Sequence, residues 1–253
     1  MSPGERVATV ATLITAGVGL SLVIQPPLAW IFVAVLIVSV CLGTNQVLLG
    51  HPRTSSANPG LTVLVIPSLL TLGATLFFRL PALDRSTLVA VGLGLFGLIL
   101  ATALYAEYQT YDRSGRRYRQ ARNVLNLIAY VIAFALYSAI FAPKYRSLLS
   151  ATAVLIATAL ICAELFRGAE SPGSHRLWVG VVAFVMGQVT WALNYWVLGA
   201  LTGGAILLLV FYTLTGVIRS HLNGSLAPRV FSEHLVVAGA GMAAVVIGGL
   251  WLR

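Results

Sequence analysis

An all-α bundle of about nine transmembrane helices is the fold this chain predicts, and three observations predict it. Apolar runs of about 18–22 residues, the length that one helical crossing of a hydrocarbon core requires, recur through nearly all 253 residues. The composition is 58% hydrophobic and only 9% charged, against roughly 25% charged residues in a soluble domain. The breaks between the runs carry proline, glycine and arginine, the signals of short polar connections.

Taken in order, the runs cover 7–24, 28–49, 61–78, 86–106, 124–141, 148–166, 177–198, 201–219 and 231–252. The first follows Arg6 and runs from Val7 to Ile24; it is long for a secretory signal and lacks a small-residue cleavage site, so it is expected to stay as a helix. Gln25-Pro26-Pro27 separates it from the second run, and Asn58-Pro59-Gly60 precedes the third. Pro67 falls inside the third run, where a kink is expected. Pro81, Pro143, Ser171-Pro172-Gly173 and Pro228 lie in later connections, and Leu198-Gly199-Ala200 predicts a tight hairpin between the seventh and eighth runs. Because the runs use nearly the whole length, residues 1–253 are expected to be a single integral membrane domain.

Orientation follows from the positive-inside rule. With the N-terminus inside, the inner segments carry Arg6, Arg53, Arg113, Arg116, Arg117, Arg119, Arg122, Arg167, Arg176, Arg219 and Arg229; the outer ones carry Arg79, Arg85, Lys144, Arg146 and Arg253. Eleven bases against five predict N-in and C-out. Trp30, Trp191, Trp196 and Trp251 then fall at the outer interface and Trp178 at the inner one. A net charge of +9 would suggest nucleic acid in a soluble protein. Here the bases sit between apolar runs, so no nucleic-acid partner is expected. The partners expected are the bilayer and, at Arg113, Arg116, Arg117, Arg119 and Arg122, anionic lipid headgroups of the cytoplasmic face.

Depth assigns the polar residues. Glu107, Glu164 and His221 end inward-running helices, while Asn126, Glu233 and His234 begin outward-running ones, so one inner layer is expected to gather them. Such a layer can be a pocket for an anionic or headgroup-like ligand, or simply the ends of helices, where polar residues belong. Glu164 shares a face with Ala153, Ala157 and Leu160, and is expected to be the least exposed carboxylate, partnered by Arg122, Asn126 or His221. On the seventh run Ala183, Gly187, Thr190 and Asn194 recur at i, i+4, i+7 and i+11, a small and polar face of the kind that packs against another helix. Gln188, beside them at mid-depth, needs a partner because an unsatisfied amide there costs several kcal/mol. Gln188 and Asn194 therefore read either as packing hydrogen bonds or as a wall of an outer cavity.

Other chemistry finds no support. Cys41 and Cys162 lie singly in apolar runs, the four histidines do not pair within facing helices, and hydrolase, metalloprotease and nucleotide-binding motifs are absent. No metal, cofactor or catalytic residue is predicted.

WALNYW at 191–196, the FYxxxG pattern at Phe211–Gly216, HLxGxL at His221–Leu226 and YRSLLS at Tyr145–Ser150 resemble an uncharacterised family of bacterial polytopic membrane proteins, mainly across residues 105–235. The resemblance implies the bacterial cytoplasmic (inner) membrane and no assigned activity. The expectation is a non-catalytic membrane protein, either a ligand-binding or permeation unit or a subunit of a homo- or hetero-oligomeric assembly. The alternative is a membrane-embedded enzyme acting on a lipid or lipid-linked substrate, with Glu107 and Glu164 as its acid and base.

Overall fold

The protein is all-helical in a computed structural model that describes residues 3–25, 28–49, 61–81, 86–110, 117–143, 147–167 and 174–222 and positions 239 and 241. Eight α-helices lie in these segments: α1 (Pro3–Val23), α2 (Leu28–Leu49), α3 (Val65–Phe77), α4 (Ser86–Thr110), α5 (Tyr118–Phe141), α6 (Ser147–Leu165), α7 (Ser174–Leu193) and α8 (Ala200–Leu222). Seven of them are long and apolar enough to cross a membrane, all except α3. The expected ninth run, 231–252, lies outside the described residues except for positions 239 and 241.

Local chemistry sets several ends. α1 opens on Pro3, whose missing N–H is an orphan at a helix start anyway, and has Glu5 in its first turn, on the positive end of the helix dipole. α4, α6 and α7 each begin at a serine, a residue type favoured at helix starts.

Two boundaries differ from expectation. The third run divides into a 3-10 turn, Leu61–Leu64, and the 13-residue α3, which rises only about 20 Å against a hydrocarbon core of about 30 Å. Pro67 therefore sits in the first turn of α3, where it breaks no helical hydrogen bond and has no kink to make. α7 stops at Leu193, five residues early. Asn194, Tyr195 and Trp196 close its last turn through N–H bonds to Thr190, Ala192 and Leu193, so the link to α8 is a six-residue turn. In addition, α5 starts at Tyr118, six residues before the expected run, which moves Arg119 and Arg122 from a loop onto a helix.

The chain forms two compact units, residues 1–132 and 133–253. In the first, α1 packs on α2, α3 and α4, and α2 and α4 both touch α3. The approach of α1 to α4 is close: a Cβ at Gly97 would lie 2.9 Å from the Thr15 hydroxyl. The end of α1 is capped by Arg79, whose guanidinium donates to the Ser21 carbonyl at 2.7 Å, a cation at the negative end of the helix. In the second unit α6 and α7 share the longest seam and α8 packs on α7. The C-terminal part of α5 meets α8 so closely that a Cβ at Gly204 would lie 2.8 Å from the backbone N and Cα of Ser138. Tyr137 is fully buried there; it shares a 2.8 Å hydrogen bond with Thr158 of α6 and packs edge-on to Phe211 of α8.

Hydroxyls inside these apolar helices are mostly satisfied within their own helix. Thr15, Thr44, Thr71, Thr75, Thr190 and Thr215 each donate to the carbonyl four residues back. This removes the desolvation penalty of the hydroxyl without a neighbour, so most serines and threonines here carry no tertiary information.

Candidate functional site

Two buried carboxylates stand out because an intramembrane ionisable group is a functional candidate by default. In the first unit, the buried positions Phe96, Leu100, Ala103 and Leu104 of α4 follow the i, i+4, i+7, i+8 spacing of one helix face. Glu107 continues that face and is 1% exposed. Thr110 donates its hydroxyl to the Glu107 carbonyl at 2.9 Å and lies 3.4 Å from the Glu107 carboxylate. In the second unit, Val154, Ala157, Thr158, Ile161 and Leu165 form the buried face of α6, with Glu164, 2% exposed, at its end. The Arg167 Nε lies 3.2 Å from Glu164 Oε1.

Two expectations about this layer are corrected. Glu164 is not the least exposed carboxylate, since Glu107 is buried just as fully; the α4 stripe carries it inward. Glu164 also pairs with Arg167, three residues on in its own chain segment, because the backbone turns directly after Leu165 and brings the guanidinium back. Leu160, assigned to the Glu164 face, is exposed, because the buried face of α6 runs through 157, 158, 161 and 165 instead.

The other predicted residues divide as follows. Arg117 and Arg119 are exposed and Arg122 is half-buried along the start of α5; Arg113 and Arg116 lie outside the described residues. Asn126 is buried on α5. His221 stands in the last turn of α8, while Glu233 and His234 lie outside the described residues. Among the described residues no three His, Cys, Asp or Glu side chains are grouped to hold a metal ion.

The α6–α7 seam is the better-built polar feature. Ala183 and Thr190 are buried on α7, and the Cβ position of Gly187 lies 3.5 Å from the Ala151 carbonyl and from Leu155, so the small face does pack on α6. Asn194 completes it: its Nδ2 donates to the Ser150 hydroxyl at 2.6 Å. Its Oδ1 is buried without a hydrogen-bond partner among the described residues.

Gln188 lies beside this face, and contrary to expectation it finds no hydrogen-bond partner among the described residues. One residue past Gly187 turns it about 100° round the helix, and its side chain is exposed. It lines an outward groove of about 310 Å³ with Leu148, Ala151, Thr152, Leu155, Phe184, Gly187 and Trp191. A second groove, about 370 Å³, runs between α1 and α2 and is lined by Leu13, Ile14, Leu36, Ser39, Gly43 and the exposed Gln46 among others. Sequence reasoning missed the Tyr137–Thr158 bond and the Arg79 cap. A tyrosine flanked by apolar residues in mid-run was the available signal for the first; for the second, it was an arginine close to the end of its run.

The profile of a family described as "Protein of unknown function (DUF5656)" matches residues 8–248. Neither a curated protein nor a solved structure matches the chain. The chain belongs to the DUF5656 family.

Proposed function

We propose that this DUF5656 protein is a multi-pass protein of the bacterial cytoplasmic membrane that works without catalysis, as a subunit of a larger membrane assembly. The observation that carries the membrane part is the outward face of its helices. Leu98 of α4, Leu148 of α6 and Phe184 of α7 are each at least 60% exposed, in helices of crossing length. In water such surface would be far larger than a monomer tolerates; against acyl chains it is the ordinary solvent-facing surface.

The assembly part is supported by the grooves on the helix pairs α1–α2 and α6–α7. Both are mainly apolar, and each exposes one glutamine amide. That is a surface suited to helix docking, where small residues permit approach and amides hydrogen-bond across. Purification in mild detergent from the native membrane tests this reading. The expected result is a protein of larger mass, with a polypeptide, this one or another, in fixed ratio. A monomer carrying a stoichiometric small molecule would instead support the ligand-binding or permeation reading.

The burial of Glu107 and Glu164 favours a second reading, an enzyme acting on a lipid-linked substrate. A paired acid and base must both reach the reacting bond, and Glu164 is already held by Arg167. Loss of a cellular phenotype on both Glu107→Gln and Glu164→Gln, with protein levels unchanged, would favour that reading over the assembly one.

A further inference from the structure

The α1–α2 groove ends at a cation. Its two walls are in fixed register: a Cβ at Gly43 would lie 2.7 Å from Val10 Cγ1, and Leu36 lies over Gly17. Each step toward the N-terminus of α1 is therefore matched by one step toward the C-terminus of α2, so the exposed Gln46 comes level with Val7, beside Arg6. On α1, Arg6, Val10 and Leu13 recur at i, i+4 and i+7, one stripe of the helix. Val10 and Leu13 line the groove, and the half-buried Arg6 continues their wall past its end. Among the described residues neither Arg6 nor Gln46 makes a side-chain hydrogen bond or ion pair. Glu5, the neighbour of Arg6, is turned about 100° round the helix.

The dimensions are those of one leaflet. Leu36 at one end of the groove and Gln46 at the other are ten residues apart on α2, about 15 Å, half of a hydrocarbon core about 30 Å thick. Between them the lining is apolar apart from Ser39, whose hydroxyl is satisfied by the Val35 carbonyl at 2.9 Å. Leu13 and Leu42 stand exposed at the rim. Gln46 lies three residues before the end of α2, where headgroups begin. A helix docked here would cover the apolar stretch, yet the guanidinium at its end would still need an anion. A phospholipid brings both parts joined at the right spacing: an acyl chain one leaflet long, and a phosphate whose oxygens accept from the guanidinium and the amide.

We propose that the α1–α2 groove binds one phospholipid of the leaflet on the N-terminal side, with an acyl chain between Leu13 and Leu42 and the phosphate on Arg6 and Gln46. The proposal goes beyond the membrane-assembly reading, to which it leaves the α6–α7 groove.

Native mass spectrometry of the full chain in detergent tests it, with phosphatidylglycerol as the probe. One phosphatidylglycerol is expected to be retained per chain, whereas diacylglycerol, which has the chains without the phosphate, and inorganic phosphate, which has no chain, are expected to be lost. Arg6→Gln is expected to weaken retention about 10- to 100-fold, the range of one charge-assisted hydrogen bond. Ser39→Trp, which sets a ring into the groove from an exposed position, is expected to abolish it. Leu98→Trp, on the exposed face of α4, is the control and is expected to hold the lipid as the parent does. Melting temperatures should be unchanged in all three; where Ser39→Trp lowers its own, Gln46→Leu takes its place, with a loss of about 2- to 10-fold. Retention unchanged in Arg6→Gln or in the groove variant overturns the proposal, as does diacylglycerol held as tightly as phosphatidylglycerol, or no lipid held at all. None of these results touches the assembly reading. A polypeptide that co-purifies with the parent and is lost from Ser39→Trp also overturns the proposal, and supports the assembly reading instead.

Discussion

The same chemical change at two glycines should have unequal effects. At Gly204 of α8 a methyl would come within 2.8 Å of the Ser138 N and Cα of α5. These are backbone atoms, so relief requires the two helices to separate, and the Tyr137–Phe211 ring contact is broken with them. At Gly94 of α4 a methyl meets nothing within 4 Å. In a soluble helix Gly→Ala would also gain up to about 1 kcal/mol from backbone entropy. In a bilayer or micelle, however, the helices persist when their packing is lost, so little of that gain is expected at either site. Gly94→Ala should then lie within about 0.5 kcal/mol of the parent, as an exposed substitution free of contacts does. Gly204→Ala should lose about 1–3 kcal/mol through overpacking, a fall in melting temperature of about 3–10 °C for a chain of this size. The buried Cys162 thiol supplies the assay: in a Cys41→Ala background its labelling by a thiol-reactive fluorophore on heating reports loss of packing. Equal melting temperatures for the two alanine variants would refute the close α5–α8 approach.

Three further outcomes are expected. Asn194→Ala should cost about 0.6–1.7 kcal/mol, the range of interhelical hydrogen bonds in membranes, and a double-mutant cycle with Ser150→Ala should return most of that as coupling; strict additivity would mean the 2.6 Å bond contributes nothing. Arg167→Ala should destabilise more than the double change Arg167→Ala/Glu164→Ala, because the single change takes the neighbouring positive charge away from a buried carboxylate; melting curves in the same assay give the order. Reporter fusions at Ser114 and at Arg253 should signal opposite sides of the membrane if the nine crossings and eleven inner bases expected from the sequence hold; same-side signals would remove both the count and the orientation.

Helix existence was legible because hydropathy over twenty residues is a strong sum, insensitive to any one side chain. Residues 28–49 coincide with α2 for that reason. Ends were less legible, since apolar length alone does not say where a helix stops. The apolar Trp196-Val197-Leu198 extended the seventh run on paper, yet the chain turns after Leu193, where asparagine, a weak helix former, donates sideways to Ser150. Pro67 was misread for a related reason: its effect depends on its distance from the helix start, which hydropathy over 61–78 conceals.

Faces within a helix were legible where small residues repeat, as at Ala183, Gly187 and Thr190, and where the buried stripe of α4 leads to Glu107. Gln188 was expected to find a protein partner because of the penalty for an unsatisfied amide, but that penalty does not say which way the side chain points. One step of about 100° decides which way a side chain points, and no desolvation cost can rotate a single residue against its helix. The cost must then be met by whatever lies outside the helix pair. Gln188 lies five residues before the end of α7 and Gln46 three before the end of α2, so both exposed amides fall within about two turns of a helix end, where headgroups and water begin.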